Sequence, residues 1–585
     1  MALAICDRDH KMDQRQVAHI LAEIGTLLEL QGESPFKSRA YYTAARVLSG
    51  LDASSFHELV HNDTLHTLKG VGVALAEKIR ELATTDRSAY YEALKQQTPA
   101  GLLEMLAIPG MGPKKVKAIY DHLGIATVGE LEYACHENRL LDLPGFGRKS
   151  QENILKAIER LKQHRGQYLW HEAMHVAQPL LDALSHSRTA VRVALAGDLR
   201  RHLEIVDRIA VLASAHDADR VSATVTKLSL VEEVLASDLA QVSLRLKGGL
   251  PADIHLVRDE VFPFALHHLT GNQAFIRAMQ ERTRRRGYTL SASGLWRDHQ
   301  PVACQEEAEI FPALGLGYIP PEMREGMGEI AAAERGELPQ LIEEPDIRGV
   351  FHVHSTWSDG VADIEEMART AQRLGYRYLG LSDHSQSARY ANGLDPERVR
   401  QQHAAIDRLN ATLDGITILK GSEVDILPDG SLDYPDELLR QLDFVVASVH
   451  SRFTMPQAEM TARMVKAMHN PYVTMLGHPT GRLLLAREGY ALDIERIIAE
   501  AIRLGVVIEL NANPHRLDLD WRHLRQAHGR GLLISINPDA HSPEGLKDVS
   551  YGVAMARKGG ITADRVINSW NLEDIQVWLR QRRRA

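Results

Sequence analysis

Between residues 349 and 541 seven short apolar runs, each followed by a helical stretch, carry histidine or carboxylate at or near their ends in six cases: GVFHVHS, YRYLGLSDH, TILKGSEVDI, FVVASVH, VTMLGHP, VVIELNAN and LLISINPDAH. Short apolar strands alternating with helices are the pattern of a parallel sheet covered on both faces. Seven such units predict a barrel-like sheet, whose strand C-termini share one rim where catalytic groups collect. On that rim fall His352, His354 and Asp359, then His384, Glu423, His450 and His478, and finally Asp539 and His541. Residues two apart on a strand face the same way, so His352 is expected beside His354 and Asp539 beside His541. A lone histidine at a strand end is ordinarily a solvated loop residue; six with three carboxylates form a ligand set.

Imidazole mixed with carboxylate suits zinc, manganese or iron rather than calcium or magnesium alone. The donors exceed the needs of one tetrahedral ion, so two or three divalent ions are expected. Such a centre is built for phosphoester hydrolysis, because it supplies hydroxide near neutral pH and neutralises the phosphate oxygens. Arg452, Arg482 and Arg516 lie in the neighbouring loops and are expected to clamp phosphate.

The chain of 585 residues exceeds what one core serves, roughly 250–300 residues, so several domains are expected. No apolar stretch approaches the roughly 18 residues of a membrane span. The N-terminus MALAICDRDHKMDQ has no secretory pattern. Three scattered cysteines, Cys6, Cys135 and Cys304, form no CxxC pair, which fits a cytoplasmic protein. A net charge of −9 argues against nucleic-acid binding by the whole surface and leaves room for local basic faces.

Such faces are predicted in the helical first 165 residues. There LKGVGVALAEKI, AIPGMGPKKVKAI and DLPGFGRKSQENI repeat one arrangement, an apolar residue, Gly-hydrophobic-Gly and a helix. The pairs Gly70/Gly72, Gly110/Gly112 and Gly145/Gly147 permit a tight turn that aims backbone N–H groups and a helix N-terminus at a phosphate. Lys114, Lys115, Arg148 and Lys149 would lie beside it, so these are predicted helix-hairpin-helix DNA contacts. Residues 166–330 alternate strands and helices, and 329–349 read as a helix passing into a charged, proline-bearing linker.

The C-terminal segment resembles the PHP (polymerase and histidinol phosphatase) family over roughly 345–570, through its HxH, SDG, SDH, SVH, GHP and DAH elements. That resemblance implies a distorted seven-stranded barrel with a trinuclear Mn or Zn centre, in which all nine residues named above are ligands. With the preceding turns, the whole chain resembles the bacterial family X DNA polymerases. The resemblance implies an N-terminal DNA-binding domain (1–85), helix-hairpin-helix fingers (86–165), a nucleotidyltransferase palm (166–260), a thumb (261–328), a linker (329–348) and the PHP domain (349–585). SPFKSRAYYTAARVL matches the family's first helices, and HHLTGNQAFIRAM and ALGLGYIPPEMREG its thumb. Lys78 falls where relatives with deoxyribose-phosphate lyase activity carry their Schiff-base lysine.

The palm departs from the family pattern Gly-Ser-x-Arg-Arg-x-x-Glu-x-x-Gly-Asp-x-Asp. Gly197, Arg200, Arg201 and Glu204 fix its register in AGDLRRHLEIVDRIAVL. Asp198 then replaces the phosphate-binding serine, Asp207 the glycine, and Arg208 and Ala210 the two metal-binding aspartates; Asp253 supplies the third carboxylate. One aspartate beside an arginine cation does not hold two magnesium ions, so neither Mg at this site nor nucleotide binding is expected. The predicted function is DNA-repair hydrolysis of phosphodiesters at 3′ ends by the PHP domain, with abasic-site cleavage or 3′-phosphate removal as related chemistry. Gapped, nicked or 3′-ended DNA is the expected partner, and a monomer the default. Two alternatives stay open: an active gap-filling polymerase with an associated exonuclease, and a non-catalytic DNA-end scaffold.

Overall fold

The computed structural model describes residues 12–582 except 50, 52, 142, 163–165 and 188; Cys6 and most of the N-terminal stretch lie outside the described residues. The chain divides into two compact units, residues 1–136 with 140–158, and 137–139 with 159–585. Among the described residues no helix is long and apolar enough to cross a membrane.

The first unit is helical. In its first helix, Gln14–Leu30, the side chains of Val17, Leu21, Ile24 and Leu28 recur at helical spacing and are fully buried. They pack with Tyr41, Ala44, Ala45 and Leu48 of the next helix, Pro35–Ser49, in one core.

In the second unit a five-stranded sheet has the order Arg192–Ala196, Ile209–Ser214, Pro251–Val257, Gln241–Leu246, Val231–Ser237. Its second and third strands are parallel and set Ala210 opposite Asp253. A three-stranded antiparallel sheet, Tyr288–Ser291, Gly294–Arg297 and Gln300–Val302, belongs to the segment that follows.

The seven predicted strands form one parallel sheet in chain order: Gly349–Val353, Tyr378–Leu381, Thr417–Asp425, Phe444–Ser448, Met475–Leu476, Val507–Asn511 and Ile534–Asn537. A parallel bridge between Val353 and Ala540 brings the first and last strands together, so the sheet nearly closes. Six of the seven strands are buried along their entire length, as expected where both faces are covered. Phe351, Tyr378, Leu419, Phe444, Met475 and Val507 pack in one cluster with Ile575 and Leu579 of the last helix. Gly421 is required there, because a Cβ would lie 2.2 Å from the Phe444 ring. Emptying that position by Phe444→Ala would cost about 3–5 kcal/mol.

The stretch expected to be a linker is built into the fold. Its helix, Glu329–Arg335, starts at buried Glu329, which pairs with Arg525 at 3.2 Å. Ile342 is buried and its N–H donates to the Ile561 carbonyl at 3.0 Å. Charge and proline suggest solvation, but Ala333, Leu338 and Leu341 pack in the thumb cluster, and Ile342 and Ile347 join the core that holds the barrel's apolar residues. Buried Lys558 of the barrel domain ties to the palm and thumb instead, donating to the Arg201 carbonyl at 2.8 Å and to Glu325 at 2.5 Å.

Candidate metal centre

All nine predicted ligand positions converge at the C-terminal rim of the barrel. Glu423, at the inner end of the third strand, is the hub. One carboxylate oxygen, Oε1, lies 3.3 Å from His352 Nε2, 3.2 Å from His450 Nε2 and 2.9 Å from His478 Nε2, and Oε2 lies 2.9 Å from His384 Nδ1. Asp539 Oδ1 lies 3.4 Å from His352 Nε2 and 3.2 Å from His354 Nε2. Asp359 Oδ2 lies 3.5 Å from both His384 Nε2 and His541 Nε2. These atoms fall into overlapping sets with metal-ligand spacing: His354, Asp359, His384 and His541; His352, His354 and Asp539; His352, Glu423 and His478; His384, Glu423 and His450.

The residues fit divalent cations by a test independent of spacing. His352 Nε2, both ring nitrogens of His354, Asp359 Oδ2, His384 Nδ1, His478 Nδ1 and His541 Nε2 are buried with no hydrogen-bond partner. Each such atom costs roughly 1–3 kcal/mol when left unpaired, so a cluster of them calls for cations. Burial alone would raise Glu423, but the charges of His450, His352 and His384 outweigh it and hold its pKa well below the usual carboxylate range. Burial likewise opposes His352, yet Glu509, Asp539 and Glu423 push it well above the ordinary imidazole value. Metal binding at this rim therefore displaces protons.

The pairing of His352 with His354 has a different origin from strand alternation. The register shifts between Val350 and Val353, and His352 takes a left-handed backbone with φ 56°. The bulge re-aims the imidazole toward the same Asp539 oxygen that His354 faces. Asp539 also has positive φ, at 52°, and lies beyond the seventh strand. Strained conformations of this kind persist where the surroundings over-determine them.

A second layer of residues supports the ligands, and apart from Asp383 of the SDH element it escapes the sequence reading. Glu509 accepts from His352 Nδ1 at 2.6 Å, from the His478 backbone N–H at 2.6 Å and from Asn537 at 2.8 Å. Asn511 donates to Asp539 Oδ2 at 3.0 Å, and Asp425 receives His450 Nδ1. Asp383 accepts from the Ser355 N–H and hydroxyl at 2.8 and 2.7 Å and from Gln402 at 2.6 Å, which fixes the loop that carries Asp359. The signal available was a glutamate and an asparagine two apart in the apolar run VVIELNAN.

The three arginines expected to clamp phosphate separate. Arg452 is exposed, two residues after His450. Arg516 is buried with Nε 3.7 Å from Asp539 Oδ2. Arg482 departs from the expectation: it pairs with Asp520, donates to the Arg516 carbonyl at 2.9 Å and faces Glu204 at 3.7 Å. Its guanidinium is held by acidic partners and backbone carbonyls, a pairing that no local spacing revealed.

In the palm, Arg208 Nη1 donates to Asp253 Oδ2 at 2.9 Å, and the Ser243 hydroxyl donates to Asp253 Oδ1 at 2.6 Å. Burial would raise Asp253, but these hydrogen bonds and the Arg208 charge hold its pKa below the usual value. Asp198 is paired with Arg201 at 2.5 Å. Gly197 has φ 62°, and a Cβ there would lie 3.2 Å from that of Ala210.

In the first unit the three glycine turns share one geometry. Gly70, Gly110 and Gly145 have φ of 97°, 84° and 87°. The residues between the glycines, Val71, Met111 and Phe146, are buried and donate backbone hydrogen bonds of 3.0 Å to Leu68, Ile108 and Leu143. Gly72 and Gly112 cap the helices Val73–Thr85 and Pro113–Leu123, and Gly147 precedes Arg148–Lys162. A Cβ at Gly72, Gly110, Gly112, Gly145 or Gly147 would meet nothing within 4 Å, so the turn backbone is open. Lys114, Arg148 and Lys149 are exposed, and Lys115 is half-buried with Nζ 5.4 Å from the centre of the Phe146 ring. Lys78 Nζ sits 3.5 Å above the centre of the Tyr90 ring.

Comparison with known proteins follows the same divisions. Family models match for a helix-hairpin-helix domain at 12–88, a SAM-like helix-hairpin-helix tandem at 102–160, a DNA polymerase beta thumb at 265–325 and a PHP domain at 351–513. A probable phosphatase of Thermoanaerobacter sp. (strain X514) is 29% identical over 245 residues, 40% of this chain and 94% of its own. DNA polymerase/3′-5′ exonuclease PolX of Bacillus subtilis (strain 168) is 37% identical over 579 residues, which span 97% of this chain and all of that relative. With DNA-binding modules, a polymerase thumb and a metal-dependent barrel in one chain, this protein belongs to the bacterial family X DNA polymerases that carry a C-terminal PHP domain.

Proposed function

We propose that the protein is a DNA-end-processing phosphoesterase that hydrolyses phosphodiesters from 3′ ends, and that its palm no longer polymerises. The carrying observation is the contrast between two sites: nine ligand side chains converge in the barrel, six of them with buried atoms that lack hydrogen-bond partners, while an arginine faces the remaining palm carboxylate. The B. subtilis relative's name joins a polymerase to an exonuclease; this chain has the residues for the second chemistry and lacks two carboxylates for the first.

In the barrel, the overlapping donor sets suit two or three Mn or Zn ions, which His352, His354, Asp359, His384, Glu423, His450, His478, Asp539 and His541 would hold. When bound, the ions supply an activated water near neutral pH and neutralise the phosphate oxygens during in-line displacement. Glu509 fixes the His352 ring and the His478 backbone, and Asp425 fixes His450, so the imidazoles are oriented before a substrate arrives. Exposed Arg452, two residues after His450, would meet phosphate, and Arg516 would act from beside Asp539. The glycine turns of the first unit would hold the DNA backbone without reading sequence. The chain then divides into a DNA-binding domain to 85, helix-hairpin-helix fingers to 165, a palm to 260, a thumb to 328, a packed strap at 329–348 and the PHP domain. The test is a 5′-labelled gapped primer–template incubated with Mn²⁺ and all four deoxynucleotides. Shortened primers, absent with His352→Ala, support this function; lengthened primers overturn the loss of polymerisation.

A further inference from the structure

We propose that Glu204, a palm residue, is a positioning residue for the metal centre of the barrel, acting through Arg482 on the loop that carries His478 and on the loop whose Arg516 faces Asp539. It rests on the reading of the barrel as a metal-dependent phosphoesterase.

Glu204 is buried, and Trp521, Arg522 and Arg482, which face its carboxylate, all come from the barrel domain. Trp521 Nε1 donates to it at 3.1 Å, Arg522 Nη1 at 2.9 Å, and Arg482 Nη2 lies 3.7 Å away. Arg482 follows His478 by four residues and is tied to the opposite loop through the Arg516 carbonyl at 2.9 Å, the Leu517 carbonyl and Asp520. Two residues before Arg482, Thr480 donates its N–H and hydroxyl to Asp518 at 3.0 and 2.9 Å, and Gly481 donates to Asp518 at 3.0 Å. The two loops are thus stitched together behind the ligands, with Arg516 Nε 3.7 Å from Asp539 Oδ2 on one side and His478 on the other.

The electrostatics require an outside anion. Arg482 and Arg522 bring two guanidinium groups to this corner, and within the barrel Asp520 is the carboxylate they share. Glu204 supplies the second negative charge in a site where charges are poorly screened. His478 holds a left-handed backbone with φ 24°, so its imidazole depends on the loop being fixed. The glutamate that marks the polymerase register therefore serves the neighbouring domain, and the palm becomes a structural part of the phosphoesterase.

The experiment uses the full-length chain loaded with Mn²⁺ and compares the parent with Glu204→Gln, Glu204→Ala and Arg522→Gln. Two quantities are read well below the unfolding temperature: the rate of Mn²⁺ loss to excess EDTA, and kcat and KM for bis-p-nitrophenyl phosphate. Loss of an orienting partner behind a ligand weakens metal binding by about 10–100-fold, and one step further out about tenfold faster Mn²⁺ loss is expected for Glu204→Gln. In the same variant kcat should fall with KM held within about twofold. Arg522→Gln, which leaves the Arg482 branch intact, should behave as the parent. Parent-like Mn²⁺ loss in Glu204→Gln overturns the proposal, as does equal damage from Arg522→Gln. If Glu204→Ala does not fold, Glu204→Gln decides alone. A parent that binds Mn²⁺ but cleaves no phosphodiester refutes the functional reading, while the EDTA rates still decide the role of Glu204.

Discussion

Arg208 donates a hydrogen bond of 2.9 Å to Asp253, and the strand register sets Ala210 directly opposite the same aspartate. A guanidinium thus stands beside the carboxylate at the third ligand position of the palm, and its charge opposes a cation there. Primer extension on gapped DNA is expected to be absent with Mg²⁺ or Mn²⁺. The double substitution Arg208→Asp with Ala210→Asp rebuilds the carboxylate pair and should raise single-nucleotide incorporation by roughly a hundredfold or more over background. Robust extension by the parent chain would show that another group completes the site.

Asp425 receives His450 Nδ1 and a hydrogen bond of 2.5 Å from Ser387, so it orients an imidazole that points its other nitrogen at Glu423. Asp425→Asn keeps the shape and removes the charge that fixes the ring. Metal affinity or exonuclease activity should fall by about 10–100-fold, less than the complete loss expected for His352→Ala. Titration with Mn²⁺ after removal of bound metal checks this, and unchanged affinity would deny Asp425 its orienting role.

Much of this architecture was legible because its signals are local. Gly-hydrophobic-Gly turns announce themselves by backbone need, and strand-end histidines by repetition along seven units. What escaped depends on partners far along the chain. Arg482 read as a phosphate clamp until Glu204, nearly three hundred residues away, was seen facing it. Glu509 carried no motif, yet it holds both His352 and His478. The pairing of His352 with His354 was foreseen for a reason that does not apply, since a bulge rather than alternation aims the first ring. The strap at 329–348 looked solvated because only a few of its residues, Glu329 and Ile342 among them, are buried.

Glu307 joins Arg200 of the palm at 2.6 Å to buried Arg324 of the thumb. Burial would raise its pKa, but the Arg324 charge and the Arg200 hydrogen bonds outweigh it and bring it down to about 2. A depressed carboxylate stabilises the fold fully above its unfolded value, about 4.3 for glutamate, and that stabilisation is lost as pH falls toward 2. The melting-temperature difference between the parent and Glu307→Gln should therefore shrink steadily from pH 5 to pH 3. A difference that stays constant over this range would mean that the carboxylate titrates alike in the folded and unfolded states.

Lys114, Arg148 and Lys149 stand exposed at the start of helices whose glycine turns leave the backbone open. If each meets a phosphate, binding to gapped DNA should lose strength with salt, and each substitution by alanine should lower the slope of log K against log salt by about 0.7–0.9. The weakening should be uniform across DNA sequences. A slope unchanged in the triple variant would place the DNA elsewhere.

Lys78 offers the last and most separable test. Its ammonium lies over the Tyr90 ring, and burial, with the nearby Lys37 charge, lowers its pKa against the pull of Glu81. A lysine attacks an aldehyde only as the neutral amine, so a lowered pKa enlarges the reactive fraction near neutral pH. A 5′-deoxyribose phosphate held in the first unit should form an imine with Lys78 that borohydride reduces to a stable adduct. Trapping with 5′-labelled incised abasic DNA should give a labelled protein band that disappears in Lys78→Ala, while DNA affinity changes little. Trapping should also rise with pH up to the lysine's own pKa, because the neutral form increases over that range. A band of equal strength in Lys78→Ala would assign the aldehyde to another amine, and no band at all would leave Lys78 as part of the helix surface that supports Tyr90.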